Sequence, residues 1–425
     1  MCANCSGNGN SFFKGGGEIR CKMKHCETIF HGKTGSQWTM RDLLKMSEIR
    51  TETVFLKLFV IMLVHVQLLW IGGAQGREDD PLASLPSGNT PAARDPVMDE
   101  ALRQGLASNY RDEYEKSISV FEALVDDYPE HPAPYFYLAA TYQNWMSSYR
   151  VNRFADELDY YVNLAVEKGK AALAEKDNSW LYFYMGSSYG FRAYYRFRKH
   201  NWIGAYFDLV KGNSNLKKAV ELDSTLYDVY LALGTYYYWR TAKSKVISTV
   251  AFWIPDKRDL GLQQIEFSMY NGRYCQSQAA YVLLVSLIDT QDYQGAERVL
   301  QHILSTQTAP TVGDLYYAGY IHAKLERWHL VEEMFTKQIA QLESYPEAFG
   351  YQIECKYWIA RSLYERNLYD QAGIVAAEAI ELDQHHDEDK ELEGPILGYE
   401  EIKQKLDALV NALDARLEHQ KGGTK

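Results

Sequence analysis

The chain after residue 97 repeats one pattern, in which apolar side chains return every three or four positions and polar ones lie between them. This period places the apolar side chains along one face of an α-helix. Only seven prolines occur in this part, at positions 129, 132, 134, 255, 310, 346 and 395. Because a helix interior tolerates proline poorly, these positions mark helix ends. The pattern predicts an all-α protein.

Small residues recur at a regular place within this helical part. The distances between them along the chain are 34, 47, 48, 50, 35 and 41 residues. A small side chain on one helix lets its partner helix approach closely, and a larger residue on the partner fills the remaining space. The recurring positions are Gly105, Ala139, Gly186, Gly234, Leu284, Gly319 and Ala360, of which Leu284 alone is large.

This arrangement resembles the tetratricopeptide repeat, a 34-residue helix pair with small residues at its eighth, twentieth and twenty-seventh positions. The resemblance covers about residues 98 to 384, and it is to repeat proteins of the exported bacterial type. It implies a right-handed α-solenoid of about seven helix hairpins, with the amphipathic stretch 399–419 as a C-terminal capping helix. It also implies a non-enzymatic scaffold for protein–protein interaction.

Three central repeats, at about residues 132–272, are longer than the standard unit. Their second small residues, Ala165, Gly212 and Gly261, lie 26, 26 and 27 residues after the first, where the standard unit has 12. If the two helices of a hairpin share the extra residues, each helix is longer by about two turns, roughly 10 Å. A disordered insertion is the alternative interpretation.

The resemblance also assigns a binding surface, because the first helix of each pair lines the concave side of such a solenoid. The residues at these positions are mostly aromatic and sparsely charged, which suits a groove for a protein or peptide segment. Two alternatives remain: the rings pack between tall helices, or the chain's own tether covers them. The predicted groove residues are Phe136, Asn144, Trp180, Phe183, Tyr238, Trp239, Tyr281, Tyr316, Tyr320, Lys324, Tyr357, Arg361 and Tyr364, with Gln143, Phe191 and Glu354 in the same set.

A second candidate surface is electrostatic. Residues 190–204 and 238–258 contain nine Lys and Arg residues and one acid, Asp256, although the whole chain has a net charge of -11. The alternative function is therefore an envelope-surface binder that attaches to anionic lipid or polysaccharide through this basic lobe. A solvated charged face is the competing interpretation. The basic lobe consists of Arg192, Arg196, Arg198, Lys199, Arg240, Lys243 and Lys245.

An export signal is predicted ahead of the repeats. Residues 58–71 form an apolar run, with Lys57 before it and the small residues 72–74 after it. This order is typical of a secretory signal cleaved after Ala74, and an uncleaved N-terminal anchor is the alternative. We assign 46–74 to the signal and 75–97 to a flexible linker. The expected location is the periplasm or the outer envelope.

The first 45 residues lack helical or strand periodicity. They are predicted to be disordered or to be translated from upstream of the true start, at Met40 or Met46. Four cysteines in this segment have a spacing that zinc could use, but a metal site ahead of an export signal would form on the wrong side of the membrane. No metal or cofactor is therefore predicted. The weak alternative set is Cys2, Cys5, Cys21 and Cys26.

Residues 385–398 form a charged connector between the repeats and the capping helix. Its His and Asp residues could hold a divalent cation loosely, but a solvated connector is the preferred interpretation.

Two classes of function are excluded by charge and motif. The acidic balance argues against general binding of nucleic acid. No phosphate-binding loop, zinc-protease motif or dinucleotide fingerprint is present, so no enzyme activity is predicted.

Overall fold

The structure, a computed structural model, describes residues 95–242 and 256–422, together with the backbone at residues 30–31 and 37–38. The chain divides into two units, Met1–Glu78 and Asp79–Lys425. In the first unit two short strands, β1 (Phe30–His31) and β2 (Gln37–Trp38), pair antiparallel, with Phe30 opposite Trp38.

The second unit is helical, and its described residues form fifteen α-helices. They are α1 (Pro96–Asn109), α2 (Tyr114–Asp127), α3 (Pro132–Tyr149), α4 (Ala155–Glu175), α5 (Ser179–Arg198), α6 (Trp202–Leu222), α7 (Asp228–Ala242), α8 (Arg258–Asn271), α9 (Gln276–Asp289), α10 (Tyr293–Ser305), α11 (Val312–Lys324), α12 (Trp328–Gln341), α13 (Phe349–Glu365), α14 (Tyr369–Asp383) and α15 (Tyr399–Gly422). A single 3₁₀ turn, Leu342–Ser344, follows α12.

Successive helices pack against each other as hairpins along the second unit. The prediction of an all-α helical-repeat fold is confirmed. The last helix, α15, packs on α13 and α14. Its apolar stripe of Ile402, Leu406, Leu409 and Leu413 is buried there, so α15 covers the end of the repeat array as a capping helix does. Among the described residues no helix is both long enough and apolar enough to cross a membrane.

Helices of the central repeats are longer than those of the repeats that follow. Helices α3, α4, α5 and α6 have 18, 21, 20 and 21 residues, whereas α9 to α12 have 13 or 14. In the first two enlarged repeats the extra residues therefore lie in the helices themselves. In the third, α8 keeps 14 residues, and residues 243–255 lie outside the described part of the chain.

Paired glycines explain how the long helices approach each other. A Cβ atom placed on Gly234 would lie 2.7 Å from the carbonyl oxygen of Gly261, and one placed on Gly261 would lie 2.7 Å from the carbonyl oxygen of Gly234. The next hairpin toward the N-terminus has the same arrangement, with Gly186 against Gly212. Since the obstructing atoms belong to the backbone, no rotamer change can relieve such a clash.

We expect Gly234→Ala to lower the free energy of unfolding by about 1–3 kcal/mol, because helices α7 and α8 must move apart. The matched control is Gly373→Ala in α14, where a Cβ would meet nothing within 4 Å. That change should be neutral or stabilise by about 0.5–1 kcal/mol through helix propensity. Urea unfolding followed by circular dichroism measures both. Equal effects of the two changes would contradict the packing argument.

A closed concave face as the candidate interaction site

The predicted groove residues all lie on the first helices of their hairpins, but most of their rings are buried. Seven of the rings are no more than 7% exposed. The remaining three aromatic rings, Trp239, Tyr281 and Tyr364, are half-buried. The expectation of an open trough lined by exposed rings therefore differs from the structure, in which the rings pack on one another. The buried rings are Phe136, Trp180, Phe183, Tyr238, Tyr316, Tyr320 and Tyr357.

Of the polar members of the predicted set, Glu354 and Gln143 are buried, whereas the other three are more exposed. Asn144 is half-buried, and its side-chain amide donates to Asn109 Oδ1 at 3.0 Å. Lys324 is exposed and lies 5.1 Å from the ring of Tyr320. Arg361 forms an ion pair with Glu365 on its own helix.

The concave face is filled because the end of α3 contacts residues about 200 positions later in the chain. The indole nitrogen of Trp145 donates to the hydroxyl of Tyr345 at 2.6 Å. The ring of Tyr149 stacks on Tyr345 with 3.8 Å between centroids. Arg153 forms an ion pair with Glu347. The enlarged repeat thus reaches across to the loop before α13.

At the centre of this contact lies a buried ion pair. Arg150 Nη1 lies 2.5 Å from Glu354 Oε2, and the two side chains are 5% and 1% exposed. The guanidinium also lies 3.7 Å from the ring centroid of Tyr351 and 4.6 Å from that of Tyr316. The Tyr316 hydroxyl donates to the other carboxylate oxygen of Glu354 at 3.0 Å. Both charges are therefore compensated within the protein, as buried charges must be.

The connector 385–398 is part of the same closure, in contrast to the solvated connector that the sequence favoured. Leu392 is buried, and its backbone N–H donates to the carbonyl oxygen of Arg150 at 2.9 Å. Asn152 N–H donates to the carbonyl oxygen of Lys390 at 2.7 Å. The buried carboxylate of Glu391 accepts from Gly350 N–H at 2.6 Å and lies 2.9 Å from His386 Nδ1. Apolar burial and backbone pairing explain why this charged segment is not solvated.

Acids neutralise two cations in the first stretch of the basic lobe. Arg192 forms ion pairs with Asp208 at 2.9 Å and Asp159 at 3.2 Å, and Arg196 lies 2.6 Å from Asp208. These acids lie on neighbouring helices, so a count along residues 190–204 misses them. Arg198 and Lys199 donate to backbone carbonyl oxygens of the connector. The expectation of a free cluster of cations is therefore wrong for Arg192 and Arg196, whose charges are paired, whereas Arg198 and Lys199 are held at the connector by hydrogen bonds.

Other predicted residues fall elsewhere. Arg240 is half-buried, with its guanidinium carbon 5.5 Å from the ring centroid of Tyr236. Lys243 and Lys245, the apolar run 58–71 and the alternative zinc set Cys2, Cys5, Cys21 and Cys26 lie outside the described residues. Within the described residues no group of three or more His, Cys, Asp or Glu side chains could hold a metal ion.

One catalytic pattern is present in the sequence but not in the right structural context. Gly186 to Gly190 read Gly-Ser-Ser-Tyr-Gly, which matches the form of a nucleophile elbow. An elbow places its serine on an exposed turn between a strand and a helix. Here Ser188 is fully buried in the middle of α5, so its hydroxyl cannot meet a substrate.

A small cleft remains on the concave side, where α1, α3 and α5 face α7 and α9. Its cavity of about 20 Å³ is sufficient for a single water molecule. Four of its lining residues, Phe136, Asn144, Phe183 and Phe191, belong to the predicted groove set. The other lining residues are Leu106, Asn109, Tyr110, Tyr137, Ala140, Asp228, Tyr274, Cys275 and Gln278.

Asp228 is the buried acidic residue of this cleft. It is not among the residues predicted from the sequence. Its carboxylate accepts three backbone N–H bonds, from Arg273 at 2.9 Å, Tyr274 at 2.8 Å and Cys275 at 3.0 Å. Burial nevertheless holds the pKa of this carboxyl above its usual value. The carboxylate therefore positions the start of α9 beside the cleft.

Asp112, in the loop between α1 and α2, makes another contact between parts of the chain about 200 residues apart. It has a φ of 58°, and its carboxylate accepts from Tyr114 Oη–H at 2.7 Å and from Val312 N–H at 3.3 Å. Burial, with a smaller contribution from the charge of Asp314, raises the pKa of Asp112 to about 6.

Comparisons with known proteins find solved structures of low sequence identity to this chain. No protein-family model and no curated protein matches the sequence. The C-terminal part of a TPR repeat-containing protein from Cytophaga hutchinsonii is 15% identical, with 67% of this chain and 95% of that chain covered and a TM-score of 0.35. Yeast Tom70 is 14% identical, with 79% and 67% covered and a TM-score of 0.34.

A third similar structure is the TPR domain of P58(IPK). It is 13% identical, covers 76% of this chain and 99% of that chain, and has a TM-score of 0.26. At such TM-scores the similarity carries no further argument. The description of the fold rests on the helix hairpins themselves.

We expect Glu354→Gln to lower the free energy of unfolding by about 3–5 kcal/mol, because it leaves the guanidinium of Arg150 buried without a counter-charge. Glu365→Gln on the same helix is the matched control. Its ion pair with Arg361 is partly exposed, so the loss should stay below about 1 kcal/mol. Urea unfolding of both variants tests this, and a loss for Glu354→Gln no larger than that of the control would refute it.

Asp112→Asn should stabilise the protein at pH 7 by about 1 kcal/mol. The pKa of Asp112 rises on folding from 3.8 to about 6. Between these two pH values the folded state therefore keeps a proton that the unfolded state has lost. Its contribution to stability therefore falls as pH rises through this window. Asparagine tolerates the positive φ equally well. Urea unfolding near pH 4 and at pH 7 should show the advantage of the variant only at the higher pH; an equal effect at both would contradict the assignment.

Proposed function

We propose that the chain is a non-enzymatic scaffold of the cell envelope that binds a segment of another protein at the concave cleft. The observation that carries this proposal is the cleft itself. It is a place where predicted groove side chains, Phe136, Asn144, Phe183 and Phe191, surround space that the chain's own atoms leave unfilled.

Aromatic rings provide the apolar part of the site. Phe191 is half-buried and stacks on Phe136 with 5.5 Å between centroids, and Phe136 lies 5.6 Å from Phe183 edge to face. Phe136 and Phe183 are buried and form a fixed floor. Because Phe191 sits at the rim, rotation of its side chain can enlarge the cavity for an apolar side chain of a partner. Rigid aromatic floors of this kind anchor partner side chains effectively.

A chain of amides provides the polar part. Asn144 donates to Asn109, and Asn109 donates to the hydroxyl of Thr141 at 2.8 Å. These bonds orient the side-chain amide of Asn144 and leave its oxygen available as an acceptor. A partner segment in extended conformation offers backbone N–H donors for such an acceptor.

The envelope location is supported by the order of Lys57, the apolar run 58–71 and the small residues ending at Ala74, which is typical of an export signal. Attachment through the basic lobe has less support, because ion pairs occupy Arg192 and Arg196. The cleft is therefore the preferred site of interaction.

Photo-crosslinking tests the proposal at single-residue resolution. A photoreactive phenylalanine analogue in place of Phe191 should give a discrete adduct with a protein of the native envelope. The matched control places the same analogue at Tyr160 on α4, which is 59% exposed and does not line the cleft. No adduct of the same mass should form there.

Asn144→Leu, combined with the analogue at position 191, should reduce the yield of the adduct by about tenfold, because the partner loses a buried hydrogen bond. Circular dichroism establishes that each variant is folded. Equal adducts at positions 191 and 160, or an adduct that persists with Asn144→Leu, would exclude the cleft as the binding site.

A further inference from the structure

Helix α6 presents apolar side chains to solvent over its first turns. Trp202, Ile203, Phe207 and Val210 are 51%, 57%, 49% and 43% exposed. Their spacing along α6 places Ile203, Phe207 and Val210 on one side of the helix. The opposite side, with Ala205, Gly212 and Leu216, is the one buried against α5. The outer face of a repeat helix is normally polar, and within the described part of the chain nothing covers these apolar side chains.

The exposed rings are held in place by neighbouring side chains. Trp202 lies edge to face against Phe197 with 4.8 Å between centroids. Phe207 lies against Tyr206 at 5.8 Å. The start of α6 is therefore an ordered apolar surface at the turn between α5 and α6.

Positive charge continues this apolar surface along α6. Between residues 194 and 218 the one acidic residue is Asp208, which is 1% exposed and paired with Arg192 and Arg196. Lys211 is exposed, and Lys218 lies beyond it on the same side of the helix. The lysines thus follow directly on the apolar turns.

The next hairpin adds to this charge. Lys257 Nζ lies 5.3 Å from the ring centroid of Tyr237, and the guanidinium carbon of Arg240 lies 5.5 Å from that of Tyr236. Burial, together with the positive charges of Lys257 and Arg240, lowers the pKa of Lys217. Two acids offset part of this charge: Glu221 lies 3.5 Å from Lys218, and Asp256 lies 2.6 Å from Arg258.

On the other side, toward the turn, negative charges are closer. Lys199 donates to the carbonyl oxygen of Glu388, and His200 lies 3.8 Å from the carboxylate of Glu393. These two residues are therefore not counted among the cations that continue the apolar surface.

We propose that the outward face of α6 docks on a bilayer that contains anionic lipids. Trp202, Ile203, Phe207 and Val210 enter the boundary between headgroups and acyl chains, and the lysines of the following turns contact the headgroups. An amphipathic helix with aromatic and aliphatic residues beside a cationic segment binds membrane interfaces in this way. This contact goes beyond the concave cleft and does not depend on it.

Charge complementarity favours a membrane over a second copy of the chain. A two-fold symmetric pair through this face would place two copies of the same cationic segment against each other. Anionic headgroups neutralise that segment instead. The membrane is therefore the occupant that fits both the apolar and the charged parts of the face.

The test uses the full chain and a local readout, because the apolar run 58–71 is itself able to bind vesicles. An environment-sensitive fluorescent amino acid replaces Ile203, or Ile374 on α14 as the matched control, which is 62% exposed. Vesicles contain phosphatidylcholine with phosphatidylglycerol, or phosphatidylcholine alone. With anionic vesicles the probe at 203 should shift to the blue and be quenched by brominated lipids, whereas the probe at 374 should do neither.

With the probe at 203, Phe207→Ser should raise the lipid concentration needed for half of the maximal shift by about tenfold, because one aromatic side chain no longer enters the bilayer. Lys211→Gln should weaken it severalfold and reduce its dependence on salt. Ile374→Ser should leave it unchanged. Circular dichroism checks the fold of each variant.

Three outcomes would overturn the proposal. The first is the absence of a shift at 203 with anionic vesicles, and the second is an equal shift at 203 and 374. The third is a blue shift at 203 without lipid that grows with protein concentration, since this would identify a second copy of the chain as the occupant.

Discussion

The closed concave face depends on one buried ion pair, that of Arg150 with Glu354. Moving a guanidinium and a carboxylate out of water is costly, and their attraction offsets that cost only where further partners complete the site. Here Tyr351 and Tyr316 contact the guanidinium, and the Tyr316 hydroxyl and the Trp358 indole N–H donate to the carboxylate. The pair joins residues 204 positions apart, so its main role is to fix which parts of the array meet.

The length of the central helices explains why this pair can form. Helices α3 and α5 are longer than the first helices of the later repeats, and their C-terminal ends carry Arg150 and Arg198. Arg150 reaches Glu354 on α13, and Arg198 reaches the backbone of the connector at Glu393. The additional turns therefore close the concave face, whereas extra length in a solenoid of standard repeats would deepen an open groove. A binding site on this side is restricted to the cleft beside Phe191.

The repeat architecture was predictable because its signal lies in residues that are close together in the sequence. Small residues at fixed spacing allow the helices to cross closely, as Gly234 and Gly261 do. The exposure of residues on the concave face was not predictable from the sequence. The period of a helix gives the direction of a side chain, but it does not give what packs on that side chain from about 200 residues away. The same limit applies to charge. Arg192 and Arg196 stand in a run without acids, yet Asp159 and Asp208 on adjacent helices neutralise them. Nothing in the sequence marked Arg150 or Asp228 as buried.

The described residues depart from the usual distribution of polar and apolar residues in two ways, and the departures differ in kind. At Arg150 a charge lies inside, and the chain supplies its counter-charge and ring contacts. On α6 apolar side chains lie outside, and the described residues supply no cover for Ile203, Phe207 or Val210. A buried charge that has its counter-charge within the chain serves the fold itself. An apolar face that the described residues leave exposed, beside lysines that outnumber the acids of the same helix, fits a partner outside the chain that is apolar within and anionic at its surface.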